Sequence, residues 1–485
     1  MAAPAADVLI VGAGPTGLLL AGDLAAAGVV VTVVKRRKDE MPWTRAFVVH
    51  ARTLEMLDAR GVADELIATG QTLSTQVLFG NVKVDLSRLP SRFPCLLATP
   101  QYETERILDA RARALGATIR TGVEVTGLRQ DATGVEVDVR EEDGVSRVWR
   151  ASYLVGADGL DSTVRNALGL PFPGRSVMES IMLADVRLSD PPENVLMASA
   201  VREGFAFVAP FGDGWYRIFA WDRGRQLPDT APVELEDVRF ITRKALGSDF
   251  GMHDPRWLSR FHSDERQAPH YRVGRVFLIG DAAHIDSPAG AQGMNTGLQD
   301  AANLGWKLAA AVQGWAPEWL LDTYETERYR AGRLARRSSG ALVRVVMLRS
   351  WPLRTLRRIA TAVVRLAPVS RRVAGVMSVI DMRYPSPRGA HRLIGTRAGD
   401  IHLEHHDGEP ARLYEALRSG HFVLVTPGDR PTVPAPMAEH VDVVTRADGE
   451  RSTVLVRPDG YIGWTGTDVS AIAAFAARRV PPSVL

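Results

Sequence analysis

The chain has 485 residues, of which 46% are hydrophobic and 24% charged, and a formal net charge of +3. That length exceeds what one hydrophobic core usually fills, so two or three domains are expected, with room to enclose a large cofactor. The basic pI of about 9.1 rests on dispersed arginines, lysine occurring only at Lys35, Lys38, Lys83, Lys244 and Lys307; no compact stripe marks a nucleic-acid surface. The lone cysteine, Cys95, excludes an intrachain disulfide, a CxxC redox pair and a thiolate metal cluster, so electron chemistry requires a bound cofactor. The opening residues lack the basic region of a secretory signal, and Asp23 interrupts the longest apolar stretch. A cytoplasmic protein without a membrane partner is expected.

In chain order, Asp7–Val11 is a short apolar run, Gly12–Gly17 a glycine turn, Leu18–Ala27 a helix stopped by Gly28, and Val29–Val34 a second apolar run. Together they predict a βαβ unit. Ala51–Arg60 reads as a helix ended by Gly61, and Thr75–Phe93 as strands leaving the nucleotide core. Thr104–Leu115 is an amphipathic helix, followed by strands at Val123–Gly127, Val135–Val139 and Val148–Val155. Between Ser180 and Trp221 the pattern is strand-like, with Phe205, Phe207, Trp215, Tyr216, Phe219 and Trp221 around a turn at Gly212–Gly214. Arg275–Ile279 reads as a buried strand and Thr296–Ala310 as a helix, with an arginine-rich helical region at about Glu325–Ala374. Pro385, Pro387 and Gly389 mark a boundary, and strand signals at His421–Val425, Val441–Val444 and Ser452–Trp464 predict a small C-terminal α/β domain.

Gly12-Ala13-Gly14-Pro15-Thr16-Gly17 is GxGxxG between a strand and a helix. Its glycines permit a tight turn and close approach of the backbone to a pyrophosphate, whose charge meets the free amides of the helix N-terminus. It does not separate FAD from NAD(P). At the end of the second strand, where this fingerprint expects an acid for the ribose, the chain carries Lys35-Arg36-Arg37, a run that suggests a 2′-phosphate and hence an NADP-dependent dehydrogenase. Equally, Lys35 simply faces solvent. The run Gly274–Ala310 favours flavin: Asp281 follows a strand, placed to accept hydrogen bonds from polyol hydroxyls, and amides at Gln292–Asn295 precede a helix. Donors there stabilise the negative charge that develops on a reduced isoalloxazine. His284 reads as a general base or, more simply, as a structural hydrogen-bonder.

These motifs resemble those of the class A flavoprotein monooxygenases, in the aromatic polyketide hydroxylase branch with a phenol-hydroxylase-like extension. The resemblance rests on Gly12–Gly17, on Gly156-Ala157-Asp158-Gly159 continuing to Arg165, and on Gly280-Asp281 with its PxGxxGxN continuation, in that order. It implies an α/β fold with a Rossmann-type, glutathione-reductase-like FAD-binding domain (1–75, 100–178, 272–335), a β-sheet substrate domain (76–99, 179–271), a helical segment (336–385) and a C-terminal thioredoxin-like α/β domain (386–485). It implies flavin contacts at Gly12, Gly14, Pro15, Thr16, Gly17, Lys35, Arg36, Arg45, Gln101, Val125, Asp158, Asp281, Pro288, Gly290, Gln292, Gly293, Met294 and Asn295. Two positions depart from the family pattern. Lys35 stands where relatives carry Glu, and Ala291 where a glycine is common.

The chemistry so implied is reduction of FAD by NADPH or NADH, reaction with O₂ to a C4a-hydroperoxide, and transfer of one oxygen atom to a polycyclic aromatic ring; the cofactor reacts and the protein orients and encloses it. No catalytic side chain and no metal is expected. The partners are then an aromatic small molecule, O₂ and NAD(P)H, in a monomer or homodimer. By strand alternation Phe205 and Phe207 share one face, as do Trp215, Arg217, Phe219 and Trp221. Phe205, Phe207, Arg217, Trp221 and Pro288 are the candidate substrate residues, with core packing the competing role for the aromatics and a carboxylate on the next strand the competing role for Arg217. Alternatives are Baeyer–Villiger insertion on the same scaffold, the NADP dehydrogenase, and a non-catalytic flavin-binding protein. The tryptophan motif of a halogenase is missing. The arginines Arg344, Arg349, Arg354, Arg357, Arg358 and Arg365 read as the solvated face of a packed helix rather than a membrane-surface helix.

Overall fold

The computed structural model describes residues 6–38, 46–78, 82–193, 196–288, 290–346, 363, 367–405, 408–428, 430–435 and 437–468. An eight-stranded sheet forms the nucleotide core, in the spatial order Arg272–Val273, Val276–Leu278, Ser146–Gly156, Ala6–Val11, Val31–Lys35, Thr118–Thr121, with Val135–Arg140 and Glu124–Gln130 continuing from Ser146–Gly156. Its central strands pair in parallel and are buried on both faces, which is why they read as continuous valine, leucine and isoleucine runs.

Two helices, Pro15–Ala26 and Gly293–Val312, pack against each other beside this sheet. Small residues set their approach: a Cβ on Gly297 would lie 2.6 Å from Thr16 Oγ1, and one on Gly305 3.2 Å from Asp23 Cβ. Register determines what meets at the edge. Val11 pairs with Val34 and with Gly156, and Gly156 with Leu278. Three glycine motifs far apart in sequence thus emerge side by side at the carboxyl ends of parallel strands, the usual ligand edge of such a sheet.

A six-stranded sheet stands apart from this core, in the order Met197–Ala200, Gly204–Pro210, Tyr216–Asp222, Gly174–Leu188, Met252–Gln267, His284–Ile285. The predicted turn is a hairpin end with Gly212 and Gly214 at φ of 96° and 83°, closed by Phe211 N–H donating to Trp215 O at 2.9 Å. Trp215 belongs to that turn, so the strand starts one residue later, at Tyr216. The helix Leu235–Leu246 covers one face, burying Val238 and Ile241 against Met182, Ala184, Val208, Ile218 and Ala220.

In the C-terminal region Phe422–Thr426 pairs in parallel with Val441–Thr445 and antiparallel with Val454–Val456, which pairs with Ile462–Thr465. This is the thioredoxin strand order without a dithiol. The sheet is tied to the nucleotide core through buried ions: Arg52 donates to Tyr414 Oη at 2.7 Å and Asp459 O at 2.6 Å, and Arg457 donates to Glu327 at 2.7 and 2.9 Å, the carboxylate that also accepts from Lys307 at 2.7 Å. The arginine-rich region contributes the helices Asp322–Val346 and Ala367–Met377, with Arg344 exposed; Arg349, Arg354, Arg357, Arg358 and Arg365 lie outside the described residues. Among the described residues no helix is long and apolar enough to cross a membrane.

Candidate cofactor and substrate site

The first glycine turn is held by backbone contact with the second motif. Gly12 sits at φ 109°, where a Cβ would lie 2.2 Å from Ala157 O, and a Cβ on Gly17 would lie 2.1 Å from Gly12 O. Gly14 differs: nothing lies within 4 Å of the Cβ position. The helix behind it starts at Pro15 with no side-chain cap and no acid in its first turn. Its free N–H groups and open approach suit an anion, as a pyrophosphate requires.

Asp158 accepts from Ser162 Oγ at 2.5 Å and from Val164 N at 3.1 Å, capping the short helix Thr163–Ala167. Burial raises its pKa above the usual carboxylate value. Arg165, at the end of the same motif, donates to Leu160 O at 2.8 Å and Ala282 O at 3.1 Å, tying the second motif to the third. Asp281 follows with its side chain exposed, in the 3-10 turn Gly280–Ala282.

The loop after Pro288 departs from the sequence reading. The helix begins at Gly293 rather than Thr296, so Gly293, Met294 and Asn295 form its first turn. Gly293 and Asn295 are weak helix formers, which hides the start. Gln292 has no side-chain cap bond to the helix, accepting instead from Ser338 Oγ at 2.9 Å, and nothing lies within 4 Å of a Cβ on Gly293. This is a second open N-terminus, its free amides suited to partial negative charge.

Asn295 is fully buried: its Oδ1 accepts from His50 N at 2.9 Å, and its Nδ2 donates to Val48 O at 2.9 Å and Ala291 O at 2.8 Å. His50, kept neutral by burial that pushes its pKa down to about 4, donates Nε2–H to Gly290 O at 3.0 Å. Sequence reasoning missed His50. Its only signal was a histidine preceding the helix Ala51–Asp58.

Gly290 and Ala291 take φ of 94° and 53°, and Ala291 N–H donates to Pro288 O at 3.1 Å. The left-handed region penalises a Cβ by roughly 1–2 kcal/mol. Against this, Ala291 packs against the cluster of Phe47, Phe211 and Ala209. Ala291→Gly therefore relieves strain while losing a packed methyl and gaining unfolded-state entropy, and should shift urea-unfolding stability by no more than about 0.5 kcal/mol. Ala291→Val, β-branched at the same φ, should cost about 2–3 kcal/mol.

The remaining described candidates lie on or next to the strands Val31–Lys35 and Glu124–Gln130 and at the start of the helix Gln101–Ala114. Lys35 ends its strand half-buried, its carbonyl accepting from Val123 N at 3.2 Å. Arg36 lies 3.7 Å from Glu124 and Lys38 pairs with Glu142, so the basic run meets carboxylates of neighbouring segments. Val125 is buried in Glu124–Gln130. Gln101 starts its helix, accepting from Ala46 N at 3.3 Å and donating to Glu105 at 2.7 Å. Arg45 lies outside the described residues.

His284 is buried and bonded at 2.7 Å to Asp300, which also accepts from Arg328 Nε at 2.6 Å and Gly280 N at 3.1 Å. Burial lowers the imidazole pKa, but Asp300 outweighs it and raises the net value. This is the structural role.

Strand register fixes which residues share a face of the six-stranded sheet. Phe205 pairs with Trp221, Phe207 with Phe219 and Ala209 with Arg217, while Ile181, Leu183 and Asp185 follow opposite Trp221, Phe219 and Arg217. All share the face opposite the helix Leu235–Leu246. Arg217 donates to both oxygens of Asp185 at 2.7 Å, each side chain 0% exposed, the carboxylate-partner role for this arginine. Trp221 is buried and donates Nε1–H to Glu179 O at 2.9 Å. Phe205, Phe207, Phe219 and Phe261 are half-buried, with Phe207–Phe219 and Phe219–Phe261 centroids 5.8 and 5.9 Å apart. They form an aromatic wall. It meets the flavin-type loop at one end, where Phe207 and Ala291 join one cluster, and Val343 of the long helix at the other. Pro288 is exposed beside this loop.

Comparison with known proteins agrees with this geometry. Residues 5–339 match the FAD binding domain family, and residues 391–480 the aromatic-ring hydroxylase C-terminal domain. The chain is 39% identical over 468 residues to a rifampicin monooxygenase of Streptomyces venezuelae, covering 95% of this chain and 96% of the relative. It matches the structure of the anhydrotetracycline hydroxylase of Streptomyces rimosus with a TM-score of 0.86 at 39% identity, over 98% of this chain and 99% of that one. An aromatic hydroxylase from angucycline biosynthesis gives a TM-score of 0.87 at 35% identity, over 98% and 99%. Relatives of this kind over nearly the full length, together with both family matches, place it in a family: the chain belongs to the FAD-dependent aromatic-ring monooxygenases of class A.

Proposed function

We propose that the protein uses NADPH or NADH and O₂ to insert one oxygen atom into a polycyclic aromatic substrate of the polyketide type. The observation that carries this reading is the half-buried wall of Phe205, Phe207, Phe219 and Phe261 ending at Ala291 of the flavin-type loop. A second support is that similar enzymes are named for rifampicin, anhydrotetracycline and angucyclines. With the family shown, the dehydrogenase reading of Lys35-Arg36-Arg37 falls away.

The residues fit FAD. Bound FAD supplies hydride acceptance, O₂ activation and oxygen transfer. The amides behind Gly14 would hold its pyrophosphate, and those of Gly293–Asn295 would offset negative charge on its pyrimidine edge. His50 and Asn295 fix that loop from below. The aromatic wall stacks on a flat substrate and keeps water from the reacting face. Arg217 and Trp221 support the wall from within.

Oxygen-electrode measurement on FAD-loaded protein tests this. NADPH-dependent O₂ uptake should rise several-fold on adding a polycyclic phenol. Uptake indifferent to every aromatic compound tried would count against it.

A further inference from the structure

One titratable group at the site neither holds the loops nor lines the aromatic wall. Asp286 lies between His284 and Pro288, where the strand His284–Ile285 runs into the flavin-type loop. Both of its carboxylate oxygens are buried and have no hydrogen-bond partner among the described residues. A buried carboxylate without donors is costly, and the simplest remedy is a proton.

The groups around it are few. His284 and Asp281 face it from its own segment, Asp300 from the helix Gly293–Val312, and Arg336 from the helix Asp322–Val346. Tyr271, whose hydroxyl accepts from Gln267 Nε2 at 2.9 Å, is also in range. Arg336 is one turn beyond Gly332, which packs against Tyr271 and His284, and one turn before Gly340, which packs against Glu265. Arg336 is thus on the helix face turned to this strand, and Asp300 is already held by His284 and Arg328. Burial and the two other aspartates raise the Asp286 pKa to about 7, against the pull of His284 and Arg336.

We propose that Asp286 is the proton acceptor linked to flavin reduction: above neutral pH its carboxylate takes up a proton from solvent as the bound flavin gains negative charge. The balance is simple. NAD(P)H gives a hydride, two electrons with one proton, to the flavin and leaves as NAD(P)⁺; a second proton, from solvent, forms the O–H bond of the Asp286 carboxyl, while the Asp300 carboxylate, His284 and Arg328 do not change their protonation. The physical cause is repulsion between like charges in a poorly solvated site, which raises the pKa of the acid as the flavin becomes negative. The inference rests on the proposed flavin site and not on which substrate is oxygenated.

The test is the midpoint potential of the bound flavin against pH, measured with dithionite and a reference dye, in wild type and Asp286→Asn. The two potentials should coincide below about pH 6 and diverge above about pH 7, the variant being the more positive, since only the wild type then carries a charge that opposes reduction. A constant offset at all pH values, or coincidence throughout, overturns the proposal. Asp286→Ser should follow the Asn curve. A melting series on the holoprotein gives a second reading. An acid with a raised folded pKa stabilises most below its unfolded pKa and loses that contribution as pH rises to its folded pKa, so the melting gap between Asp286→Asn and wild type should widen from about pH 4 to 7 and then stay level. A gap independent of pH contradicts it. Because neither measurement uses an aromatic substrate, failure of the proposed oxygenation leaves both readouts intact.

Discussion

Alanine at Gly12 is expected to abolish FAD retention and to destabilise the protein by more than about 4 kcal/mol in urea unfolding, the range reserved for changes the core cannot absorb. The new Cβ would lie 2.2 Å from Ala157 O and 2.6 Å from Ala157 C, at φ 109°. Backbone, not a flexible side chain, is in the way, and moving it would separate the central strands joined at Val11 and Gly156. Alanine at Gly14 is the contrasting experiment, since its added Cβ meets no protein atom within 4 Å. Apoprotein stability should hardly change, while FAD binding weakens by about tenfold to a hundredfold, the equivalent of one lost charge-assisted backbone bond. Unchanged FAD binding by Gly14→Ala would show that the space above Gly14 is not where the pyrophosphate lies.

Asp300→Ala should be nearly as damaging. It removes the acceptor of His284, Arg328 and the Gly280 amide together, leaving a fully buried guanidinium with no carboxylate, at a cost of about 3–5 kcal/mol. Because Gly280 precedes Asp281 and Arg328 also donates to Thr296 O at 3.1 Å, the flavin loop should loosen and FAD retention fall in parallel. A double variant with Arg328→Met should recover some of the loss, since no unpaired cation remains. The sign of the pH effect follows from the carboxylate. Burial would raise the Asp300 pKa, but Arg328 and His284 outweigh it and hold it below the ordinary value; the stability it gives is present above the unfolded pKa, near 4, and is lost as pH falls through the folded one. Asp300→Ala should therefore melt with less acid dependence than wild type.

Those regions of the fold and site that depend on local order were legible in the sequence. Apolar runs ending in glycine turns identified the parallel strands, and period-two alternation grouped Phe205 with Phe207, and Arg217 with Phe219 and Trp221; strand pairing then put the two groups on one face, while Trp215, grouped with the second, lies in the turn. Partners brought in by register were not legible. Asp185 is 32 residues from Arg217, His50 is 240 from Gly290, and no local pattern announces either pair. The strand Met252–Gln267, MHDPRWLSRFHSDERQ, escaped for another reason: it carries a proline and many charges, and its first half is largely unburied, so it lacks the alternation of a half-buried strand. It nonetheless supplies Phe261 to the wall. Asp286 shows the same limit, since only tertiary packing reveals that a carboxylate in a polar-looking loop has been left without donors.

If this geometry directs one atom of O₂ into an aromatic ring, the isotope must appear in the product. The decisive measurement is mass spectrometry of the compound formed from a polycyclic phenol by FAD-loaded protein and NADPH under ¹⁸O₂. The product should carry one ¹⁸O atom and the matching reaction in H₂¹⁸O none; O₂ consumed only to hydrogen peroxide, with the phenol unchanged, would contradict it.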